Sequence, residues 1–406
     1  MTIYANSPDG PVNWERLMAH RTQNMRGSAI RELLKLTQEP SIISFAGGLP
    51  APELFPVREI EEACHYILRE QAKIALQYSA TEGYRPLREY LADYMSKYGF
   101  TPSPDNILIT TGSQQALDLV GKTFIDADSA IMTGVPTYLG AIQAWRAYEA
   151  RFLTVPLDED GMAVDKVEEI VKQEIPRFIY VLPNFQNPAG TTLPAERRRQ
   201  LVEIARKYDF IILEDDPYGA LRYEGEDILP IASMAPERTI YLGTFSKILA
   251  PGLRIGYIVA PAEIITRLVQ GKQGADLHTS TFDQMIANDV AQRGILKAHI
   301  KKIRNTYGKR RDLMIEALEE FWPEGSSWTR PHGGLFLWAR VPHPLNTLDI
   351  FDKAVANKVA YVPGCNFFPY GDGGFDAMRL NFSNASEEKV VEGVHRLGKV
   401  IKEELR

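Results

Sequence analysis

The chain has 406 residues, 45% of them apolar and 24% charged, which is ordinary for a globular protein of two or three domains and excludes disordered, collagen-like and coiled-coil readings. Lys and Arg number 46 against 52 Asp and Glu, so the net charge is −6 and gives no reason to expect a nucleic-acid partner. The two cysteines, Cys64 and Cys365, are too few and too far apart for a disulfide framework or a metal-ligand spacing, which points to a reducing cytoplasm.

The first twenty residues lack an apolar run and carry Asp9 and Glu15, so they do not read as a signal peptide. No stretch of 18 apolar residues occurs, so no membrane span is expected. Residues 40–56, PSIISFAGGLPAPELFP, are rich in Gly and Pro and predict a loop-dominated passage. From about 105 to 260, short aliphatic runs alternate with helical patterns. The strand candidates are 107–111, 129–134, 151–155, 177–183, 210–215, 239–244 and 254–260; helices are expected at 113–124 and 194–209. Continuous apolar strands between amphipathic helices predict an α/β fold, with a mostly parallel seven-stranded sheet covered on both faces. Such sheets bind ligands beyond the carboxyl ends of their strands.

After about residue 300 the texture changes to that of a smaller α+β part. A basic helix at 297–321 precedes a strand at 333–341, a helix at 347–357, short strands around 360–362 and 378–382, and a last helix at 386–404. The Arg run at 197–199 and the Lys/Arg-rich 301–311 read as solvated helix faces.

Several common chemistries drop out. Gly121-Lys122-Thr123 resembles the end of a P-loop, but the glycine needed five positions earlier is Ala116. No G-x-G-x-x-G opens a helix after a strand, and no G-x-S-x-G elbow occurs. The seven histidines show no H-x-x-x-H or H-x-H spacing, which argues against a metal site.

What remains is a set of polar residues at successive strand ends. In GTFSKILAPGLRIGY (243–257) a strand ends at Thr244 and Ser246, Lys247 follows, and Arg254 comes seven residues later. A lone lysine is ordinarily a solvated charge. Here Phe245, Ile248, Leu249 and Pro251 surround it, and desolvation beside a cation lowers an amine's pKa, as a lysine that condenses with an aldehyde requires. Two hydroxyls and an arginine suit a phosphate. In EDDPYG (214–219), Asp215 and Tyr218 are either loop polar groups or a carboxylate and phenol aimed at one ligand. Asn187, in PNFQNPAG, is either a turn former or a site amide. Ser113, in TTGSQQALD, stands at an expected N-cap, a generic anion site. Pyridoxal phosphate uses all of these together: a lysine for its aldehyde, a carboxylate for its ring nitrogen, a phenol and an amide for its ring hydroxyl, and a cradle for its phosphate.

With these motifs the chain resembles the fold-type-I, class I/II aminotransferases from about residue 14 to 404, and more narrowly their 2-aminoadipate and kynurenine branch. The narrower likeness lies in IRELLKLTQ (30–38), SFAGGLPAPELFP (44–56), LQYSATEGYRPLR (76–88), ITTGSQQALDLVGK (109–122), GKQGADLHT (271–279) and RPHGGLFLW (330–338). The resemblance implies a large cofactor-binding domain at 51–300 and a small one from 1–50 and 301–406. It implies that Lys247 joins the cofactor, Asp215 pairs with its ring nitrogen, and Tyr218 and Asn187 meet its ring hydroxyl. Ser113, Gln114, Thr244, Ser246 and Arg254 would bind its phosphate, Tyr138 would stack on its ring, and Tyr78 would reach the phosphate of a neighbouring subunit in a homodimer. Arg379 would grip the substrate α-carboxylate, with Asn187 and Gly48 beside it. Arg31 is either a contact for a distal substrate carboxylate or a surface ion-pair partner of Glu32.

Two departures stand out. MTGVPTY lacks the acid that relatives carry before the proline, and FFPYGDGGFDAMRL differs more freely on the substrate side. The implied reaction moves an amino group from 2-aminoadipate, glutamate, or a leucine-like or aromatic amino acid to a 2-oxo acid such as 2-oxoglutarate. A lyase or decarboxylase on the same fold is the main alternative. The effector domain of a transcription regulator is another; it needs a DNA-binding domain upstream, for which a pattern starting near residue 30 leaves no room.

Overall fold

The computed structural model describes residues 12–25, 27, 39 and 41–406. Its strands, in chain order, begin with β1, Ile43–Ser44, inside the passage expected to be loop. Next come β2 Ile107–Thr111, β3 Ala130–Val135, β4 Arg151–Asp158, β5 Gly161–Met162, β6 Phe178–Val181, β7 Ile211–Asp215, β8 Thr239–Thr244 and β9 Ile255–Val259. These last eight form one sheet in the order β2-β9-β8-β7-β6-β3-β4-β5. Strands β8, β7, β6, β3 and β4 are parallel, and β9 runs against both its neighbours.

All seven expected strands form. The eighth, β5, is a two-residue return after β4, turned at Gly161 with φ +87°. A strand that short leaves no periodic signal, so the expected count of seven becomes eight.

The sheet is buried on both faces, and alternation along each strand sorts the core into two layers. Ile131, Phe178, Tyr180 and Leu213 face one layer. Met132, Ile179, Val181 and Ile212 face the other, together with Leu201, Val202 and Ala205 of the helix Ala195–Tyr208. Asp215, two residues after Leu213, therefore falls on the same face as Tyr180.

The C-terminal part holds β10 Ser327–Trp328, β11 Phe336–Arg340, β12 Val359–Ala360, β13 Val362–Pro363 and β14 Ala377–Asn381. Four of them form an antiparallel sheet, β10-β11-β14-β13. The fifth, β12, pairs in parallel with β1, which ties residues 43–44 to this part of the chain. The expected strand around 360–362 is thus two short pieces in different sheets. The helix Ile295–Phe321 runs unbroken through residue 300. In the final helix, Glu387–Glu404, the Ser386 side chain accepts from the Lys389 amide at 3.4 Å, and Glu387 and Glu388 fill the first turn, where acids suit the helix dipole. Among the described residues, no helix is long and apolar enough to cross a membrane.

Candidate active site

Three acids in a row, Glu214 and Asp215 at the end of β7 and Asp216 just beyond it, have different fates. Glu214 accepts the Ile231 and Ala232 amides at 2.9 and 2.8 Å, at the start of the helix Ile231–Met234, and burial lifts its pKa to about 7. Asp216 is tied down by Asn184 at 3.0 Å, the Gly219 amide at 2.9 Å and the Tyr241 hydroxyl at 3.1 Å. Asp215 receives one hydrogen bond, from the Tyr180 hydroxyl to Oδ2 at 2.8 Å. Its Oδ1 is buried without a partner, and burial pushes its pKa up to about 7 although Tyr180 opposes the rise. The middle acid is therefore the one left to meet a cationic or protonated group.

Lys247, in the turn after β8, donates from Nζ to the Gly48 carbonyl at 2.8 Å. Burial lowers its pKa to about 8, and Arg379 and Arg254 add to the effect. At neutral pH a useful fraction of the amine is then uncharged and nucleophilic. The rate at which the apo chain takes up an aromatic aldehyde should rise with pH up to about 8 and level off above it, because the neutral amine is the attacking form. Stopped-flow absorbance checks this, and a rate that keeps climbing well above pH 8 would show an amine whose pKa burial does not lower.

Arg379, on β14, is buried, and burial brings its pKa down to about 10. Nη1 donates to Asn187 Oδ1 at 2.9 Å and Nη2 to the Ala46 carbonyl at 2.6 Å; Nε has no partner. The guanidinium lies 4.3 Å from the Phe336 ring centre and 5.1 Å from that of Phe367, which fixes its plane. Tyr218 is buried, edge-on to Phe336. Burial raises its phenol pKa well above the ordinary range; Tyr138 adds to this, while Arg379 and Asn187 oppose it. Tyr138 precedes the helix Leu139–Arg146, and burial raises its pKa, with Asp215 contributing.

The third cluster lies between β2 and β9. Ser113 opens the helix Ser113–Phe124, and the N-cap is Gly112, not Ser113 as expected. Gly112 has φ +74°, and a Cβ there would stand 2.5 Å from Arg254 Nη2; a Cβ on Gly256 would meet the Gly112–Ser113 backbone at 2.7 Å. The two glycines let Arg254 close over the first-turn amides of the helix, which lack intrahelical acceptors. Arg254 is exposed and reaches the Thr111 carbonyl at 3.4 Å. Thr244 Oγ1 and Ser246 Oγ, at and just beyond the end of β8, are buried and 3.0 Å apart. The Gln114 side chain is engaged elsewhere, donating to the Gly140 carbonyl at 2.9 Å.

Tyr78 stands apart, 79% exposed, with its ring edge-on to His278. Arg31 lies outside the described residues.

Residues 50–397 match the family model Aminotransferase class I and II. The chain belongs to the class I and II aminotransferases. It is 48% identical to aromatic-amino-acid aminotransferase 1 of Thermococcus litoralis, over 97% of this chain and 96% of that one. To the 2-aminoadipate transaminase of Thermus thermophilus it is 45% identical, over 97% and 98%. The solved kynurenine aminotransferase of Pyrococcus horikoshii, in complex with PMP, superposes with a TM-score of 0.93 at 45% identity, over 97% and 99%.

The aminotransferase works with pyridoxal 5'-phosphate, and its donor set fits that group: the partnerless buried Asp215 Oδ1, the amine of lowered pKa and the glycine-spaced cradle each answer one part of it. Sequence reasoning passed over Tyr180, the Ala46 carbonyl, Gly112, Gly256, Phe336 and Phe367. The first carried a readable signal, since strand parity puts Tyr180 and Asp215 on one face of adjacent strands.

Proposed function

We propose that this aminotransferase takes 2-aminoadipate, glutamate, and leucine-like or aromatic amino acids as donors and a 2-oxo acid such as 2-oxoglutarate as acceptor. The observation that carries this is the buried Arg379, held by Asn187 and Ala46 with its Nε free, close enough to Lys247 to lower that amine's pKa. A fixed guanidinium beside a reactive amine suits a substrate with a carboxylate and an amine on one carbon.

When bound, the cofactor supplies an aldehyde for the amino group and a ring that accepts the electron pair freed when the α-proton leaves. Lys247 carries that proton as base and then acid. Asp215 Oδ1 holds a proton on the ring nitrogen, and Tyr180 keeps the carboxylate oriented. Tyr218 and Asn187 would bind the ring hydroxyl, and Tyr138 would cover the ring face. Ser113, the Gln114 backbone, Thr244, Ser246 and Arg254 would hold the phosphate. Arg379 orients the α-carboxylate, with Gly48 lining the substrate space. On this reading the site lies where a large part, 51–300, meets a small part, 1–50 and 301–406.

A homodimer belongs to the same reading. Ile74, Leu76, Tyr78 and Leu277 are all more than half exposed, an apolar surface that suits a second copy, and Tyr78 would reach the neighbour's phosphate from there. A cytoplasmic location is proposed with it, and the two free cysteines suit a reducing compartment.

A donor panel with 2-oxoglutarate tests the substrates. Acidic donors should lead, with leucine and aromatic donors following. Release of product without any 2-oxo acid, and none with it, would overturn the assignment. Arg31→Ala should weaken acidic donors by about tenfold relative to apolar ones, the scale of one lost charge contact; an unchanged ratio removes Arg31 from specificity.

A further inference from the structure

The Lys272 side chain is wholly shielded from solvent near the end of the helix Ala262–Gln273. Its three donor hydrogens are fully used: Gln115 Oε1 at 2.6 Å, the Asp276 carboxylate at 2.8 Å and Thr279 Oγ1 at 3.0 Å. The Asp276 carboxylate in turn accepts from Gln115 Nε2 at 2.7 Å and the Thr111 hydroxyl at 2.9 Å. Gln115 Oε1 also accepts the Thr111 amide at 2.8 Å. Thr111 is thus gripped at both its amide and its hydroxyl, and its carbonyl is the one Arg254 reaches. On the other side, the Thr279 carbonyl accepts from Gln284 and bonds the His278 ring, each at 2.8 Å; Gln284 accepts the Tyr84 amide at 2.7 Å, and His278 packs against Tyr78.

We propose that Lys272 is a positioning residue that holds the Thr111–Gly112 turn beneath Arg254 and the loop bearing His278 against Tyr78 in one arrangement. It touches neither substrate nor cofactor. A buried ion pair is a poor way to gain stability alone, because apolar residues of the same volume do as well. Such residues could not fix Thr111 by two polar groups while also holding Thr279. Burial lowers the Lys272 pKa against the pull of Asp276, and the Asp276 carboxyl is held low against its own burial by Lys272, Gln115 and Thr111, as a charged pair requires. The role rests on Arg254 and the Ser113 turn being the phosphate cradle, and the test separates the two.

The apo protein is titrated by absorbance with pyridoxal 5'-phosphate and with pyridoxal, which lacks the phosphate. The ratio of the two Kd values reads the cradle alone. Arg254→Ala should collapse that ratio. Lys272→Met should weaken pyridoxal phosphate by about tenfold and leave pyridoxal within about twofold. If Arg254→Ala leaves the ratio intact, the cradle assignment fails and the positioning role falls with it. If Arg254→Ala collapses the ratio but Lys272→Met does not, or weakens both ligands equally, the positioning role alone is overturned. Should Lys272→Met fail to fold, Thr111→Val keeps the shape, and the ratio should move by about threefold in the same direction; an unmoved ratio overturns the role.

Discussion

Lys247→Ala is expected to cut amino transfer by at least roughly 10²–10⁴-fold, the range for losing a general acid–base group, while pyridoxal phosphate still binds through its phosphate and ring contacts. The loss should exceed that range if the amine also serves as the nucleophile. A pKa of about 8 is what both jobs need: low enough to be partly neutral at pH 7, high enough to return a proton. Lys247→Arg keeps the charge but should be as inactive, since a guanidinium does not give up its proton. Its failure would separate the chemistry from simple electrostatics. The alanine variant loses the bond to the Gly48 carbonyl but also removes an amine whose charged form burial penalises, so the unfolding midpoint of its apo form should not fall below that of wild type at neutral pH. Steady-state rates, equilibrium dialysis of the cofactor and a thermal scan together check this. Turnover within about tenfold of wild type would remove Lys247 from the mechanism.

The strands were readable because strands covered on both faces are continuous apolar runs whatever their direction; β6, β8 and the antiparallel β9 are buried at every position. Elements that depend on distant partners were not. Strand β1 exists only because Ile43 and Ser44 pair with Val359 and Ala360, and nothing local announces it. The N-cap went to Gly112 because close approach of Arg254 requires a residue without a side chain, a tertiary demand that outweighs the capping preference of Ser113. The acids Glu214, Asp215 and Asp216 are indistinguishable by composition. Strand alternation separates neighbours, and partners as remote as Ile231, Asn184 and Tyr241 occupy the outer two. Lys272 sat unremarked inside GKQGADLHT because its network closes with Gln115 and Thr111, more than 150 residues away in sequence. The chemistry was legible from motif spacing, and the buried supports of that chemistry were not.

Asp215→Asn is expected to lower kcat by about 10²-fold or more and, at the same time, to stabilise the apo protein above neutral pH. Both effects follow from one buried carboxylate with a partnerless oxygen. Its pKa of about 7 in the folded chain lies above the ordinary carboxylate value of about 3.9. A carboxyl raised in this way favours folding fully below about pH 4, and that contribution is lost as pH rises through about 7. Asparagine keeps the shape and can still accept from Tyr180, but never ionises. The stability gap between variant and wild-type apo protein should therefore be small near pH 4 and reach a few kcal/mol by pH 8. Glu214 follows the same trend in both proteins and cancels in the difference. Loading the cofactor should reverse the order, since the ionised Asp215 then faces a protonated ring nitrogen while asparagine gains no ion pair. Denaturant unfolding of apo and loaded protein at the two pH values reads all four states. A gap that ignores pH would mean that Asp215 carries no charge penalty in the empty fold. A gap that persists unchanged on loading would mean that its carboxylate is not the group that meets the ring, and the electron sink would have to be held by some other residue.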